Sequence, residues 1–251
     1  MQEKFDTKYS FVENEKQIIS FWKENDCFKK LKAKNANGPK HRFIDGPITA
    51  NNPMGIHHVW GRTLKDTFIK YHAMLGHDTH YRNGFDGQGL WVEVNVEKAL
   101  GLNGKPEILN YGIDNFTNKC MERVDHFANE ITNQSIRMGQ WMDWDNSYYT
   151  YKDENITGIW AFLKKCNEGG WIKQIYKPMP WCPRCGTSLS SHEVAQGYKD
   201  VKENSVIAKF PIAGKDNEYI LAWTTTPWTL PSNVALCVNP KEEYVKVESN
   251  G

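Results

Sequence analysis

The chain has 251 residues, room for one to two domains of roughly 150 residues each. Hydrophobic residues make up 39% and charged residues 24%, which excludes wholesale disorder and allows a sizeable core. Lysine plus arginine (31) nearly balance aspartate plus glutamate (30), which excludes a polycationic nucleic-acid coat and a polyacidic tail but permits a local basic face.

No apolar run approaches the roughly 18 residues that span a bilayer, so no membrane partner is expected. The start, Met1-Gln2-Glu3-Lys4-Phe5-Asp6, lacks the apolar stretch of a secretory signal, and a cytoplasmic location is expected. Six cysteines are too few for a disulfide scaffold in a chain of this length. Only Cys182 and Cys185 lie close together.

In chain order, Ile18, Phe21, Trp22, Phe28 and Leu31 fall near helical spacing and predict a first helix, ended by the breaker cluster from Lys34 to Pro39. His41 to Ile44 predicts a strand that stops at Asp45-Gly46-Pro47. A polar loop with Asn51-Asn52-Pro53 leads to a helix from about His57 to Leu75. Val59, Trp60, Leu64, Phe68, Tyr71 and Leu75 form one apolar face on it, and Gly76 is its stop.

Thr79 to Arg82 predicts a second strand, running into a glycine-rich turn from Asn83 to Gly89. Further helices are expected at 90–100, at 114–138 with Asp114 as N-cap, and at 153–167 before Gly169-Gly170. Phe116, Cys120, Val124, Phe127 and Ile131 line the inner face of the second of these. The strand–helix–strand order predicts parallel α/β architecture. After Trp171 the texture turns β-prone, with short runs at 171–176, 205–210, 219–226, 235–238 and 244–247. The chain stops at Ser249-Asn250-Gly251 just past a β-like run, so truncation is expected.

Four stretches carry chemistry. The first runs from Asp45-Gly46-Pro47 to Gly55-Ile56-His57-His58, between a strand and a helix, where a doubly wound sheet holds its ligand. Free amides at a helix start attract anions, and imidazoles there stabilise transferring phosphate. The alternative is one surface and one core histidine, since adjacent helical residues diverge by about 100° and at most one faces a given ligand. In the second, Gly84 to Gly89, three glycines imply tight turns and close backbone approach. Asp86 there grips an ammonium group or caps a local turn.

The third is Trp181-Cys182-Pro183-Arg184-Cys185-Gly186, a zinc-knuckle turn. Only half of a four-ligand set is obvious; His192 and Cys237 are candidates, and redox or inert thiols are the alternatives. The fourth is Trp223-Thr224-Thr225-Thr226-Pro227-Trp228 through Asn233. Its hydroxyls alternate between strand faces and orient a water or a ribose, or the run is an ordinary threonine strand.

Taken in this order, the four stretches resemble class I aminoacyl-tRNA synthetases, most closely the isoleucyl type; the valyl and leucyl types share the plan. Phe43 to Pro47 resembles the segment leading into the family's HIGH motif, Leu64-Lys65-Asp66 the helix after it, and Gly84 to Leu90 a Gly-Trp-Asp-Cys-His-Gly-Leu element. Cys182 to Thr187 resembles the zinc knuckle of the inserted segment, and Trp223 to Asn233 the threonine-rich motif of the editing domain.

The resemblance implies an α/β chain: the first half of a Rossmann-type catalytic domain (1–170), a zinc-knuckle insertion (171–200) and the start of a β-rich editing domain (201–251). It implies ATP with Mg2+, Zn2+, an amino acid and an isoleucine-type tRNA as cofactors and partners, in a monomeric full-length protein. By the same resemblance His58 and His57 are catalytic, and Gly46, Pro47, Asn51, Gly55 and His58 contact ATP or the adenylate. Asp86, Gln88 and Gly46 bind the amino acid, Cys182 and Cys185 bind zinc, and Thr224, Thr225, Thr226 and Asn233 line the editing pocket. Isoleucine exceeds valine by one methylene, worth only about 1–3 kcal/mol, so editing is expected; this pair is the standard example of that limit.

Departures are visible. The HIGH position reads Gly55-Ile56-His57-His58, Gly87-Gln88 replace Cys-His, and Trp91 stands where the family has proline. No Lys-Met-Ser-Lys-Ser-like loop is present, so these 251 residues are expected not to aminoacylate alone. The alternatives are a valyl- or leucyl-type enzyme, a divergent paralogue acting as a binding module, or a zinc-knuckle adaptor without catalysis.

Overall fold

A computed structural model of the chain describes residues 9–248. The chain divides into two compact units, one ending at Leu189 and one beginning at Ser190. That boundary falls inside the 171–200 segment.

The first unit opens with two helices, α1 (Phe11–Glu24) and α2 (Cys27–Asn35), where one was expected. Asp26 breaks them apart with φ +51°, a left-handed conformation an aspartate tolerates better than most residues. Next come β1 (Lys40–Ile44), the short β2 (Ile48–Thr49), α3 (Ile56–Met74) and β3 (Asp78–Asp86). They are followed by α4 (Leu90–Leu100), α5 (Lys105–Tyr111), α6 (Ile113–Arg137), β4 (Asp143–Tyr149) and α7 (Asp153–Glu168). A two-residue pair, β5 (Trp181–Cys182) and β6 (Thr187–Ser188), completes the unit.

The sheet is parallel throughout, with β3 at its centre. The Arg82 and Asp86 carbonyls accept from Asp45 and Ala50, while the Phe85 carbonyl accepts from Thr150. Successive carbonyls of a strand point to opposite sides. So β1 and β2 share one flank of β3, and β4 lies on the other. All these strands run the same way, and their C-terminal ends gather Asp45, Thr49, Asp86 and Thr150.

β3 is longer than the four residues expected, running on through the presumed turn to Asp86. Gly84 is within the strand, where a Cβ would collide with the Tyr148 ring. The glycine serves close approach rather than turning. β4 escaped the sequence reading because Asp143-Trp144-Asp145-Asn146-Ser147 is poor in strand formers; its place beside β3 overrides propensity.

The inner face of α6 meets the expectation. Phe116, Val124 and Ile131 are buried, and Cys120 and Phe127 pack on a core of Ala50, Phe85, Val92, Val124, Ala128 and Ile131. The expected cap Asp114 lies in the first turn, and the N-cap is Gly112 at φ +99°. α3 inverts intuition. Apart from the half-buried Val59 its apolar stripe is exposed, with Trp60 at 69%, while Arg62, Asp66, Ile69 and Ala73 form the buried side.

The second unit holds α8 (Ser191–Gln196), the antiparallel pair β7 (Val206–Pro211) and β8 (Tyr219–Thr224), and a 3-10 turn at Pro227–Ser232. The runs at 171–176, 235–238 and 244–247 are not strands. They are β-prone in composition, but no ladder partner pairs with them among the described residues, and a strand needs one.

Candidate active-site crevice

The crevice starts from Asp45, 2% exposed at the end of β1. Lys65 Nζ donates to its Oδ1 at 2.7 Å, and Tyr148 Oη donates to its backbone carbonyl at 2.7 Å. Arg62 Nη2 stands 3.3 Å from Oδ2. Yet the guanidinium aims its N–H groups at Asn83 Oδ1 (3.2 Å) and Gln140 Oε1 (3.3 Å). The Arg62–Asp45 contact is therefore a charge pair rather than a hydrogen bond, and Oδ2 accepts none among the described residues. Gln140 Nε2 continues the network to Tyr81 Oη at 2.9 Å, and burial pushes the Tyr81 phenol well above its usual range. This buried polar layer fixes α3 to the strands and thereby sets where its first turn lies.

At that first turn the Gly55 N–H donates to His58 Nδ1 at 3.1 Å. His58 accepts at Nδ1, so its proton sits on Nε2 and remains available to donate. Burial, and then His57 and Arg62, hold the His58 pKa below its ordinary value. The neutral form therefore dominates near neutrality.

The two histidines do not diverge as helical geometry suggests. Their ring centroids lie 3.8 Å apart. The exposed His57 ring lies back against Gly55, where a Cβ would stand 2.8 Å from the ring. The two rings are tilted by 44°, and Gly55 leaves room for this close packing. Gly46 has open space around it, and Pro47 is exposed. Asn51 is buried with both polar ends engaged: Nδ2 donates to the Trp91 carbonyl, while Arg123 donates to Oδ1 and to the Asn51 carbonyl. It shapes the loop from within.

Asp86 closes β3, half-buried. Thr49 Oγ1 donates to Oδ2 at 3.2 Å, and the Gln88 N–H donates to Oδ1 at 3.3 Å. Thr150 Oγ1 lies 3.5 Å from Oδ1 and accepts from the Gly87 N–H at 2.9 Å. The turn-capping reading of Asp86 holds, and among the described residues only neutral donors bond its carboxylate. Gln88 is exposed. No hydrogen bond links Asp86 to either histidine among the described residues; they share the C-terminal ends of the strands.

Sequence reasoning missed Arg62, Asn83, Gln140, Thr49 and Thr150. The one signal was that Arg62, Asp66, Ile69 and Ala73 recur at helical spacing, a stripe legible only once the buried side of α3 is known.

Cys182 and Cys185 flank a tight turn joining β5 to β6. The Cys185 N–H donates to Cys182 Sγ at 3.4 Å and the Gly186 N–H to the Cys182 carbonyl at 2.8 Å, with Gly186 at φ +64°. The Cys185 amide lowers the Cys182 thiol pKa, whereas burial raises that of Cys185. Arg184 reaches Glu97 on α4 at 2.9 Å, anchoring the turn. An amide aimed at sulfur suits a thiolate metal ligand. Among the described residues of the first unit no third histidine, cysteine or carboxylate joins the pair, so the turn offers half of a tetrahedral set.

In the second unit Thr224 Oγ1, at the end of β8, and Thr226 Oγ1, at the cap of the 3-10 turn, lie 3.3 Å apart, and the Thr226 N–H donates to Thr224 Oγ1 at 3.0 Å. Thr226 is past the strand, so this contact comes from the turn and not from alternation along it. Thr225 is half-buried between them. Asn233 is exposed just past the 3-10 turn, its N–H donating to the Leu230 carbonyl.

The family model for tRNA synthetases class I (I, L, M and V) matches residues 17–246. The chain is 44% identical over its whole length to an isoleucine–tRNA ligase of Clostridium acetobutylicum and 45% identical to that of Clostridium novyi, covering 24% of each. Over 94% of the chain it is 45% identical to the isoleucine–tRNA ligase of Pyrococcus horikoshii, covering 22% of it. The chain thus spans about a quarter of the length of these relatives. Among solved structures, the LeuRS–tRNA–LeuAMS ternary complex of Agrobacterium radiobacter K84 aligns with a TM-score of 0.53 at 14% identity, covering 84% of this chain and 31% of that one. At that identity the likeness speaks to fold, and the fold it supports is the parallel sheet described above. Sheet, crevice and sequence agree: the chain belongs to the class I tRNA synthetases, in the group that handles isoleucine, leucine, methionine and valine.

Proposed function

We propose that the protein carrying these residues activates isoleucine with ATP and transfers it to an isoleucine-type tRNA. The observation that carries this is the placement of His58 and Asp86 at the C-terminal ends of the parallel strands, each held by neutral donors or acceptors. The identity of 43–45% to isoleucine–tRNA ligases supports isoleucine over valine or leucine.

In this reading the amino-acid carboxylate attacks the α-phosphorus of ATP, giving an aminoacyl-adenylate and pyrophosphate. The neutral His58 donates from Nε2 to a phosphate oxygen as charge builds there. His57, packed against it, extends the imidazole surface in place of the family's first histidine. Gly46, Pro47 and Gly55 leave room for the nucleotide, and Asn51 holds the loop that borders it. Asp86 pairs with the α-ammonium group, Gln88 lies beside it, and Mg2+ accompanies ATP as charge compensation.

The finer organisation belongs to the same proposal: a catalytic half-domain over 1–170, a zinc insertion over 171–200 and the beginning of an editing domain from 201. Cys182 and Cys185 supply two zinc ligands. Thr224, Thr225, Thr226 and Asn233 face mischarged valine for hydrolysis. The protein works as a cytoplasmic monomer.

The test is amino-acid-dependent ATP–pyrophosphate exchange by the full-length gene product with isoleucine, valine and leucine. Exchange favouring isoleucine supports the reading. Folded protein without exchange for any of them favours a paralogue whose Gly55-Ile56-His57-His58 sequence has lost the chemistry.

A further inference from the structure

Three histidines meet at the other end of the sheet. His41 is the second residue of β1, His72 lies in the last turn of α3, and His77 immediately precedes β3. Each offers a ring nitrogen, and these atoms all lie within 4.8 Å of one another. The Nδ1 atoms of His72 and His77 are 3.1 Å apart, and the His41 ring stacks on His72 at 3.8 Å between centroids. All three are half-buried, shielded yet reachable.

The surrounding structure holds them there. Asn35 Nδ2 donates to the carbonyls of Ala73 and His77, at 2.7 and 3.1 Å, and clamps the turn between α3 and β3. The His77 N–H donates to the His72 carbonyl. The nearest cations on β1, Lys40 and Arg42, are drawn to Asp78 at 2.9 and 3.4 Å, which offsets their charge.

A tetrahedral zinc site has Zn–N bonds of about 2.0–2.1 Å, hence ligand nitrogens about 3.3 Å apart. The His72–His77 pair already has that spacing, and His41 needs only a side-chain adjustment. We infer that His41, His72 and His77 form a three-imidazole site for Zn2+ or a similar first-row ion, with water as the fourth ligand. The ion replaces the Nδ1–H···Nδ1 contact of His72 and His77, and the proton shared there moves to the far nitrogen of its ring. All three imidazoles bind in the neutral form, so a protonated ring gives up its proton to solvent on binding and affinity falls as pH drops.

The site lies at the N-terminal ends of β1 and β3, whereas Asp45 and Asp86 mark the C-terminal ends. Its role is therefore to staple the β1–α3–β3 crossover and not to act on substrate. It is also separate in chemistry from Cys182 and Cys185, being all nitrogen.

The experiment is Zn2+ titration of the full chain carrying Cys182→Ser and Cys185→Ser, read by competition with a chromophoric chelator and by the shift in Tm. One Zn2+ per chain is expected, with a rise in Tm. Adding His41→Ala, His72→Ala or His77→Ala is expected to weaken binding roughly 100-fold or more, since even outer-shell changes cost about 10–100-fold, and to abolish the rise. A second measurement uses the unaltered chain: Zn2+ is expected to move the imidazole 15N resonances of these three histidines. No binding by the cysteine variant, unchanged affinity in the histidine variants, or unmoved resonances would overturn the assignment.

Discussion

The crevice of the first unit and the threonine run of the second are built in opposite ways. Asp45 is held by contacts reaching 20 and 103 residues along the chain, and Asp86 by partners 37 and 64 residues away. Among the described residues the hydroxyls of Thr224, Thr226 and Thr229 bond only to groups two or three residues away. A site held by long-range contacts exists only when its unit is folded, and it is then pre-organised. A locally bonded run keeps its shape cheaply but positions nothing distant. Substitutions should therefore propagate through the first region and stay local in the second.

The largest effect is expected at Asp45. Asp45→Ala leaves Arg62, 3% exposed, without its counter-charge. Breaking a buried pair in this way costs about 3–5 kcal/mol, to be read as a drop in the denaturant midpoint. A loss below 1 kcal/mol would break the contrast, because Asp45 would then be no more connected than a surface threonine.

Next is Gly84→Ala, whose methyl meets the Tyr148 ring. Overpacking of this kind costs about 1–3 kcal/mol. Combining it with Tyr148→Ala should recover part of the loss in a double-mutant cycle, whereas strict additivity would mean that the contact is unimportant.

These two residues show what the sequence conveyed and what it withheld. The strand before Asp45, the helix carrying His58 and the inner face of α6 were legible because periodicity and breakers speak locally. The two close histidines were legible as residue types but not as a packed pair, since the packing depends on Gly55 lacking a Cβ. β4 and the buried face of α3 were not legible. An Asp- and Asn-rich strand, and a helix that buries arginine and aspartate while exposing tryptophan, make sense only once their partners are in place.

A smaller, pH-dependent effect sharpens the same contrast. The His58 pKa is lowered in the folded protein from its ordinary value of 6.5. The unfolded chain therefore binds more protons below that value. The stabilising contribution is fully present above pH 6.5 and is lost as pH falls towards the lower folded pKa. His41 shifts in the same direction, so the comparison must be with His58→Gln. The unaltered chain should lose more stability than this variant between about pH 7 and 5. Parallel profiles would show that the burial of His58 beside His57 and Arg62 contributes nothing to the pH dependence.

The smallest effect is expected in the second unit. Thr224→Val removes one exposed local acceptor and should cost at most about 1 kcal/mol, measured by thermal unfolding. A larger cost would show long-range support that the local bonding pattern does not suggest.

The most direct test of the central claim, that Asp86 and His58 carry amino-acid activation, is isoleucine-dependent ATP–pyrophosphate exchange by the full-length protein and its Asp86→Ala variant. The account expects exchange with isoleucine above valine and leucine, and a fall of roughly 100-fold or more in kcat/KM for isoleucine on losing the carboxylate, about 2.7 kcal/mol or more by the rate–energy relation. Exchange that survives Asp86→Ala unchanged, with isoleucine still preferred, would contradict it.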